Sequence, residues 1–320
     1  MNMYIGNESQ LYGVEEVRLV GGKGDGMRLY NVRNGAGLEF SVSLDRCADI
    51  SRISFKGVNM GYFSPTGYVA PTYYDHVGAG FLKSFTAGFV TTCGLTAVGN
   101  PCTDDGEELP LHGTISNTPC ENASHWIEND EIHIKVLVRD AYPISHQLVL
   151  EREYICPIGK NEIKMIDKVK NIGSRTAPFE ILYHCNMGYP LLSEDAEIKI
   201  PSTQVLPRND HAKEGIEECL KVESPQNGYK EKCYYHKLSG NTEVSIYNNS
   251  IKKGVKLSYD ANELPFFTQW KMMGEREYVM GLEPGNAYPD GRADMREKGL
   301  LDFLKSGEEK VKKLTFTFVE

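Results

Sequence analysis

Hydrophobic and polar residues alternate with a period of two along much of the chain. The segments LEFSVSL (residues 38–44) and EIHIKVLV (residues 131–138) each carry an apolar residue at every second position. The same alternation returns in GVKLSY and LTFTF near the C-terminus. Strands that bury one face and expose the other in antiparallel sheets have this period. The pattern therefore predicts many half-buried β-strands.

Turn-forming clusters separate these segments at intervals of roughly ten residues, a spacing typical of an all-β sandwich or barrel. One cluster, GGKGDG (residues 21–26), lacks the Gly-Lys-Ser/Thr ending and the following helix of a phosphate-binding loop, so we predict a turn there. Helical patterns are limited to residues 209–220 and residues 297–311, where we expect short helices. No strand–helix–strand rhythm divides the chain. We predict one large antiparallel β domain over residues 1–320.

The charge balance narrows the class of partner. The 320-residue chain has a formal net charge of -9. A net-acidic protein is a poor partner for nucleic acid or for an anionic membrane surface, so we expect a small ligand. We find no signal-peptide pattern and no apolar run long enough to span a membrane. We therefore expect a cytoplasmic protein whose eight cysteines are free buried thiols.

Three ionisable residues stand where predicted strands end. His112 lies in LPLHGT, His184 ends the apolar strand FEILYH before the turn-like CNMG, and Glu283 precedes PGNAYPDG. Each has a structural explanation: a hydrogen-bonded or solvated histidine, or a carboxylate that ends a strand in water. Together they supply a general acid, a general base and a polar partner. A proton-transfer enzyme that works near neutral pH needs such a set.

Several segments resemble the aldose 1-epimerases of the galactose mutarotase-like superfamily, and more closely its DUF4432 branch. The segments that carry the resemblance are SLDRCADISRISFKGVNMGYFSPTG (43–67), FLKSFTAGFVTTCGLTAVGNP (81–101), LPLHGTISNTP (109–119), ILYHCNMGYPLL (181–192) and LEPGNAYPDG (282–291). They follow one another over most of the chain and are specific as a set. The resemblance implies a β-supersandwich of large antiparallel sheets with a broad cleft on one of them.

The resemblance also implies a reaction. It is similar to that of an aldose 1-epimerase (mutarotase), which interconverts the α and β anomers of a free sugar. By the resemblance, Glu283 is the base on the anomeric hydroxyl, His184 is the acid on the ring oxygen, and His112 contacts the sugar. Opening a pyranose needs one proton removed and one delivered, so no metal ion or other cofactor is expected.

The sequence departs from the true epimerases around the expected sugar site. Lys83 stands where the branch more often has arginine, and lysine is a point donor rather than a bidentate one. Arg46 is a second candidate for substrate binding, with an ion pair to Asp45 or Asp49 as its structural alternative. Trp270 lies on a predicted strand, where it could cover an apolar sugar face or pack in the core.

Two rival functions stay open from the sequence. Another sugar isomerase or a lyase could use the same acid and base, on an anionic substrate if Lys83 and Arg46 both face the cleft. A non-catalytic sugar sensor could share the fold without needing an acid–base pair. The intervals between His112, His184 and Glu283 form no local metal-binding motif. Nothing in the sequence decides between a monomer and a homodimer.

Overall fold

Antiparallel strands dominate the computed structural model of the protein, which describes residues 3–320. In chain order the strands are β1 (Gly13–Arg18), β2 (Arg28–Arg33), β3 (Leu38–Ser43), β4 (Asp49–Phe55), β5 (Val58–Asn59), β6 (Tyr62–Phe63), β7 (Ala87–Gly88), β8 (Val90–Leu95), β9 (Cys102–Asp104), β10 (Glu107–Leu109), β11 (Cys120–Glu128), β12 (Glu131–Ala141), β13 (Gln147–Pro157), β14 (Glu162–Asn171), β15 (Ala177–Gly188), β16 (Ala196–Lys199), β17 (Gln204–Pro207), β18 (Lys232–Lys237), β19 (Asn241–Asn248), β20 (Lys253–Asp260), β21 (Phe266–Gly274), β22 (Glu277–Gly285), β23 (Asp302–Leu304) and β24 (Glu309–Val319).

Helices are few and short. Residues 3–320 contain two α-helices, α1 (Asp210–Lys213) and α2 (Arg292–Glu297). Single 3₁₀ turns occur at Glu8–Gln10, Gly22–Gly24, Pro71–Tyr73, Gly80–Lys83, Ile115–Asn117 and Ile216–Glu218. Over the described residues, no helix has the length and apolar character needed to span a membrane.

Two large antiparallel sheets organise the fold. The eight-stranded sheet has the order β11-β12-β13-β14-β24-β20-β19-β16. The seven-stranded sheet has the order β17-β18-β21-β22-β15-β23, and β8 joins it by pairing with β15. Strands β1 to β5 form a five-stranded sheet, and β6–β7 and β9–β10 are two-stranded pairs. The predicted all-β class of large antiparallel sheets is confirmed.

The eight-stranded sheet buries one face and exposes the other, as the alternating sequence predicts. Along β12, the side chains of Ile132, Ile134, Val136 and Val138 are buried, and the residues between them are less so. The buried face belongs to a hydrophobic cluster that also contains residues of the five- and seven-stranded sheets, such as Phe40. Because removing apolar surface from water contributes about 25 cal/mol per Å², this shared cluster holds the three sheets together.

The central strands of the seven-stranded sheet are buried on both faces. Every residue of β15 from Phe179 to Gly188 is buried, as is every residue of β22 from Tyr278 to Gly285. Ile181 and Tyr183 belong to the hydrophobic cluster. Since successive side chains of a strand point to opposite faces, His184 lies on the other face of the sheet. On that face, loop residues enclose a cleft.

A buried charge cluster links the strand that carries His184 to the other sheets. Arg152 on β13 is fully buried, and its guanidinium donates two 2.7 Å hydrogen bonds to Asp167 on β14 and one of 2.7 Å to Asp49 on β4. The hydroxyl of Tyr183 on β15 donates to the same Asp167 carboxylate at 2.9 Å. Hydrogen bonds between opposite charges thus compensate their burial and connect the five-, eight- and seven-stranded sheets.

The local predictions have mixed outcomes. Residues 297–311 do not continue as a helix, because β23 pairs with β15 and β24 pairs with β14. The turn predicted directly after His184 is also wrong, because β15 continues to Gly188. The turn at residues 21–26 and the short helix within residues 209–220 are confirmed. All eight cysteines are free thiols, and seven of them are buried as expected, whereas Cys102 is partly exposed.

Candidate functional site

The register of three neighbouring strands places His184, Glu283 and Thr268 side by side. Asn186 on β15 pairs with Gly281 on β22, and this antiparallel register puts His184 opposite Glu283. Glu283 in turn pairs with Thr268 on β21. Residues opposite each other in an antiparallel pair point to the same face. The three side chains therefore form a row on the cleft face of the seven-stranded sheet.

A cleft of about 330 Å³ opens above this row. Such a volume is at the lower end of the range for small-molecule sites. His112, Trp270 and Thr268 line the cleft together with His184 and Glu283. Of the six residues predicted from the sequence to form the site, four therefore meet around one cleft, although positions up to 171 residues apart (283 − 112) contribute to it.

The imidazole of His184 is oriented by Asn186, two residues along β15. The Nδ1 atom of His184 lies 2.6 Å from the Oδ1 atom of Asn186. The amide nitrogen Nδ2 of Asn186 donates to the main-chain oxygen of His184 at 2.8 Å, which assigns Oδ1 as the acceptor. His184 therefore donates through Nδ1–H. In the neutral ring, Nε2 is then the unprotonated nitrogen.

The unprotonated nitrogen of His184 faces the carboxyl group of Glu283. The Nε2 atom of His184 lies 3.3 Å from Oε1 of Glu283. The contact is not aligned as a hydrogen bond, and Oε1 has no hydrogen-bond partner within residues 3–320. Burial lowers the pKa of His184 to about 4. Burial, and then the nearby Glu231, raise the pKa of the Glu283 carboxyl well above its usual range. Near pH 7 these shifts favour a neutral pair with the proton on Glu283.

Gly281 leaves room for the groups that surround His184. It lies on β22 opposite Trp270, on the same face as Glu283. A Cβ atom at Gly281 would stand 2.1 Å from Oε1 of Glu283 and 3.0 Å from Cβ of Trp270. The Glu283 carboxyl therefore occupies the space that a side chain at position 281 would fill. Only glycine permits this placement of the carboxyl.

His112 approaches the same cleft from the loop after β10. Its main chain has φ +59°, in the left-handed region, and is held by hydrogen bonds to Gly99 (2.8 Å) and from Gly94 (3.1 Å). Its ring centroid lies 5.7 Å from that of His184. Burial lowers the pKa of His112 to about 3, so the imidazole is neutral near pH 7. The buried Nδ1 atom has no hydrogen-bond partner in the described chain.

Aromatic side chains close the cleft around the two histidines. The Trp270 ring lies 5.2 Å from the His184 ring, between centroids, and its Nε1–H donates to Glu231 at 2.7 Å. Phe85 lies 5.4 Å from the His184 ring, and Phe81 lies 5.3 Å from the ring of His112. Trp270 thus faces the cleft rather than only the core. The two phenylalanines were not predicted from the sequence, although they flank Lys83 in the segment FLKSF.

The structure places Lys83 and Arg46, the other two predicted binding residues, outside the cleft. The ammonium group of Lys83 is exposed and forms a 2.6 Å ion pair with Asp75. The guanidinium of Arg46 is buried and donates to three main-chain oxygens, the shortest bond being 2.7 Å to Ser84. Both predictions of a cleft-facing cation are therefore wrong. Arg46 also forms neither of the alternative ion pairs, because Asp45 pairs with Arg28 and Asp49 with Arg152.

Among residues 3–320, Arg208 is the lysine or arginine that lines the cleft. Its Nε donates to Asp290 at 3.1 Å, one Nη to the Pro289 oxygen at 2.9 Å, and the other Nη to the Cys233 sulfur at 3.9 Å. A guanidinium has five N–H groups, so capacity for further hydrogen bonds is left. Arg208 follows β17 in a loop with no recognisable motif, and no local pattern could have identified it.

Polar atoms without partners converge on the cleft. Glu283 Oε1, Thr268 Oγ1 and His112 Nδ1 are buried and have no hydrogen-bond partner among residues 3–320. Buried polar atoms are normally paired, so these three have capacity for the hydroxyl groups of a ligand. Across the same residues, no group of three or more His, Cys, Asp or Glu side chains is arranged to hold a metal ion. The arrangement suits proton transfer to and from a bound ligand.

The sequence matches one known protein family over most of its length. The sequence from residue 24 to residue 318 matches the family described as a domain of unknown function, DUF4432. The chain belongs to the DUF4432 family. The matched region contains all of the cleft residues named above. None of the curated proteins compared with this DUF4432 chain matches it.

Solved structures share the fold of this DUF4432 chain. A Klebsiella pneumoniae protein, provisionally named an aldose 1-epimerase, superposes with a TM-score of 0.92 and 27% identity, covering 98% of this chain and 86% of its own. A galactose mutarotase-like protein from Clostridium acetobutylicum has a TM-score of 0.71 and 14% identity, covering 97% and 99%. For galactose 1-epimerase from Lactobacillus acidophilus the values are 0.64 and 13%, covering 96% and 98%. The fold is that of the galactose mutarotase-like proteins, as the sequence resemblance implied.

Proposed function

We propose that the protein is an aldose 1-epimerase that interconverts the α and β anomers of a free sugar. The observation that carries the proposal is the buried pair of His184 and Glu283, whose Nε2 and Oε1 atoms lie 3.3 Å apart at the cleft. The fold shared with galactose 1-epimerase from Lactobacillus acidophilus supports it. An acid and a base at one point of a concave site are what ring opening needs.

The close spacing of the pair suits the hemiacetal, because O1 and O5 of a pyranose are both bonded to C1. Glu283 takes the proton of the O1 hydroxyl, and the electrons of that bond form the C1=O1 double bond. The C1–O5 bond breaks, and O5 takes a proton from His184. After rotation about C1–C2, the reverse steps close the ring as the other anomer. The closing steps return both protons, so the pair ends the cycle as it began.

The pair must hold one proton when the sugar reacts. Burial favours the neutral arrangement, with that proton on Glu283. A sugar hydroxyl that donates to the carboxylate, and a ring oxygen that accepts from the imidazolium, both favour the charged forms. As the sugar binds, the proton therefore passes from Glu283 to His184 across their 3.3 Å contact. The pair then has the roles that the family resemblance implies.

Other cleft residues bind the ring. His112 is neutral and offers one donor and one acceptor nitrogen to sugar hydroxyls. Trp270 presents an indole that can cover an apolar C–H face of the sugar. Arg208 has N–H groups left to donate to further hydroxyls. These roles use the hydrogen-bonding capacity that the protein itself leaves unfilled.

The proposal is tested by NMR saturation transfer between α and β anomers over a panel of free aldoses. We expect faster exchange for at least one sugar with the wild type, and a loss of about 100-fold or more in Glu283→Gln, since general base catalysis typically contributes 10²–10⁴-fold. Glu180→Gln is the matched control, because Glu180 is a buried carboxyl on β15 that accepts from Val98 N and does not line the cleft. This variant should retain the wild-type exchange rate.

Calorimetry separates the proposal from its rivals. Sugar binding by the wild type without any faster exchange would instead support a non-catalytic sensor. The rival enzyme acting on an anionic sugar required Lys83 and Arg46 in the cleft, and both are engaged elsewhere. Arg208 is already paired with Asp290. Faster exchange that survives unchanged in Glu283→Gln would overturn the assignment of the base.

A further inference from the structure

Two threonines stand at the ends of the row that contains His184 and Glu283. Thr91 on β8 pairs with His184, and Thr268 on β21 pairs with Glu283 on the other side. The hydroxyl group of Thr91 donates to the main-chain oxygen of Ala87 at 2.6 Å. Thr268 is also buried, but its Oγ1 atom has no hydrogen-bond partner in the described chain. The row therefore begins with a paired hydroxyl group and ends, beyond Glu283, with an unpaired one.

The neighbours of Thr268 on this face of the sheet already use their polar groups. Trp270 is the next residue of β21 on the same face, and its Nε1–H donates to Glu231 at 2.7 Å. Tyr235 on β18 pairs with Thr268, and its hydroxyl group donates to Asp290 at 2.6 Å. Buried polar atoms are normally paired. Since Thr268 lines the cleft, a bound ligand can supply the missing partner.

A pyranose has a fixed order of atoms on either side of C1. C1 carries O1 and is bonded to O5 on one side and to C2 on the other. With O5 at His184 and O1 at Glu283, C2 and its hydroxyl group lie on the side of C1 that faces away from His184. Thr268 is the next side chain of the row in that direction. Neighbouring strands lie about 4.8 Å apart, so Glu283 and Thr268 can contact neighbouring oxygens of one sugar ring.

We propose, building on the mutarotase function, that Thr268 binds the 2-hydroxyl group of the sugar and makes the protein selective for 2-hydroxy aldoses over 2-deoxy aldoses. The hydroxyl group of Thr268 can donate to the sugar oxygen or accept from it. A bound 2-deoxy sugar keeps water from this buried hydroxyl group and offers it no hydrogen bond in return. Thr268 determines specificity only, since the protons of the reaction move between Glu283, His184 and the sugar.

The first test compares each aldose that the wild type accelerates with its 2-deoxy analogue. Suitable pairs are D-glucose, D-galactose, D-ribose and L-fucose, each with its 2-deoxy form. Saturation transfer, corrected for the spontaneous exchange of each sugar, gives kcat/KM, and calorimetry gives affinity independently of turnover. We expect the 2-hydroxy member of each accelerated pair to be favoured by about tenfold or more, because a buried hydroxyl group left without a partner typically costs about 5- to 150-fold.

Deleting the hydroxyl group of Thr268 should remove this preference. In Thr268→Val, which keeps the branched shape of the side chain, we expect the ratio of kcat/KM within each accelerated pair to fall by about tenfold or more. Thr268→Ser keeps a hydroxyl group and should retain most of the preference. Because both sugars meet the same variant, a partial loss of folded protein does not change the ratio.

Thr91→Val is the matched control. It deletes a hydroxyl group at the opposite end of the same row, where the hydroxyl is already paired with Ala87 and Thr91 does not line the cleft. This variant should show the same ratio within each pair as the wild type.

The outcomes separate this inference from the proposed function. Equal rates and affinities within the accelerated pairs, or a ratio that Thr268→Val leaves unchanged, would overturn the role of Thr268 and leave the mutarotase in place. Tighter binding of 2-hydroxy sugars that is lost in Thr268→Val, without faster exchange of any sugar, would overturn the mutarotase and keep the role of Thr268. Neither binding nor exchange for any sugar would overturn both.

Discussion

At the scale of single residues, Asn186 determines which nitrogen of His184 carries the proton. It accepts from Nδ1 at 2.6 Å and leaves Nε2 towards Glu283. The amide is neutral, so it orients the imidazole without stabilising the positive charge strongly, and the pKa of His184 stays at about 4. The pair can therefore keep a single proton over a wide pH range. Asn186 acts as a positioning residue.

Replacing Asn186 by aspartate should shift the pH dependence of the reaction. In the wild type, we expect half of the activity to be lost near pH 4. At that pH His184 takes up a proton while Glu283 still carries one, so neither group can act as the base. A carboxylate beside Nδ1 stabilises the imidazolium, so Asn186→Asp should raise this apparent pKa by about 1–3 units. On acidification, the variant should then lose its activity at a higher pH than the wild type does. The measurement is the pH profile of anomer exchange.

A structural defect alone would lower the rate at every pH without moving the acid limb. Asn249→Asp is the matched control, because Asn249 lies exposed in the turn after β19, and its profile should equal that of the wild type. If a folded Asn186→Asp variant lost its activity at the same acidic pH as the wild type, Asn186 would not be a positioning residue.

The sequence predicted which residues have suitable chemistry better than it predicted where their side chains point. His112, His184 and Glu283 stand in motif segments, and they do meet at the cleft. Lys83 stands in such a segment too, but its side chain extends to Asp75 in solvent. Which side of a short 3₁₀ turn faces the cleft depends on how the loop packs, and no local pattern records it. Arg208 lies outside every recognised segment.

At the scale of elements, alternation predicted strands but could not predict their partners. The strands β15 and β22 carry His184 and Glu283, which are 99 residues apart in the chain (283 − 184). Their register arises from long-range pairing, which sequence spacing does not determine. The apolar pattern of residues 297–311 was compatible with a helix, and pairing of β23 and β24 with neighbouring strands decided the outcome.

The hairpin of β21 and β22 provides a direct test of how the sheet positions the base. Gly281→Ala would place a Cβ atom 2.1 Å from Oε1 of Glu283 and so force the carboxyl away from His184. Since a displacement of about 1 Å can cost about 10²-fold in rate, we expect a loss of that order in anomer exchange. The measurement is the exchange rate for a sugar that the wild type accelerates.

Gly274→Ala is the control for the same substitution in the same hairpin. Its Cβ would lie 3.0 Å from the flexible end of Met272 and 3.5 Å from two atoms of Glu277, an ordinary contact distance, and away from the cleft. This variant should fold and react like the wild type. Full activity in Gly281→Ala would show that the carboxyl does not need its observed position.

At the scale of the whole molecule, the buried cluster around Arg152 joins the sheets behind the site. In β13, apolar residues face inward at Leu148 and Leu150, and the same alternation turns Arg152 inward. A charged residue at an inward position of a strand is a signal that the sequence does contain. Only the structure shows its partners, because Asp49 and Asp167 come from other strands.

Removing the cation from this cluster should destabilise the fold strongly. Arg152→Met leaves the carboxylates of Asp49 and Asp167 buried without their cation, and loss of one partner of a buried pair typically costs about 3–5 kcal/mol. Arg139→Met is the control: Arg139 also lies in the eight-stranded sheet, but its ion pair with Glu121 is exposed, so its loss should change the stability little. The measurement is the free energy of unfolding by denaturant. Equal losses of unfolding free energy in the two variants would mean that the buried cluster does not hold the sheets together. A large loss confined to Arg152→Met would show that the strand carrying His184 depends on the five- and eight-stranded sheets behind it.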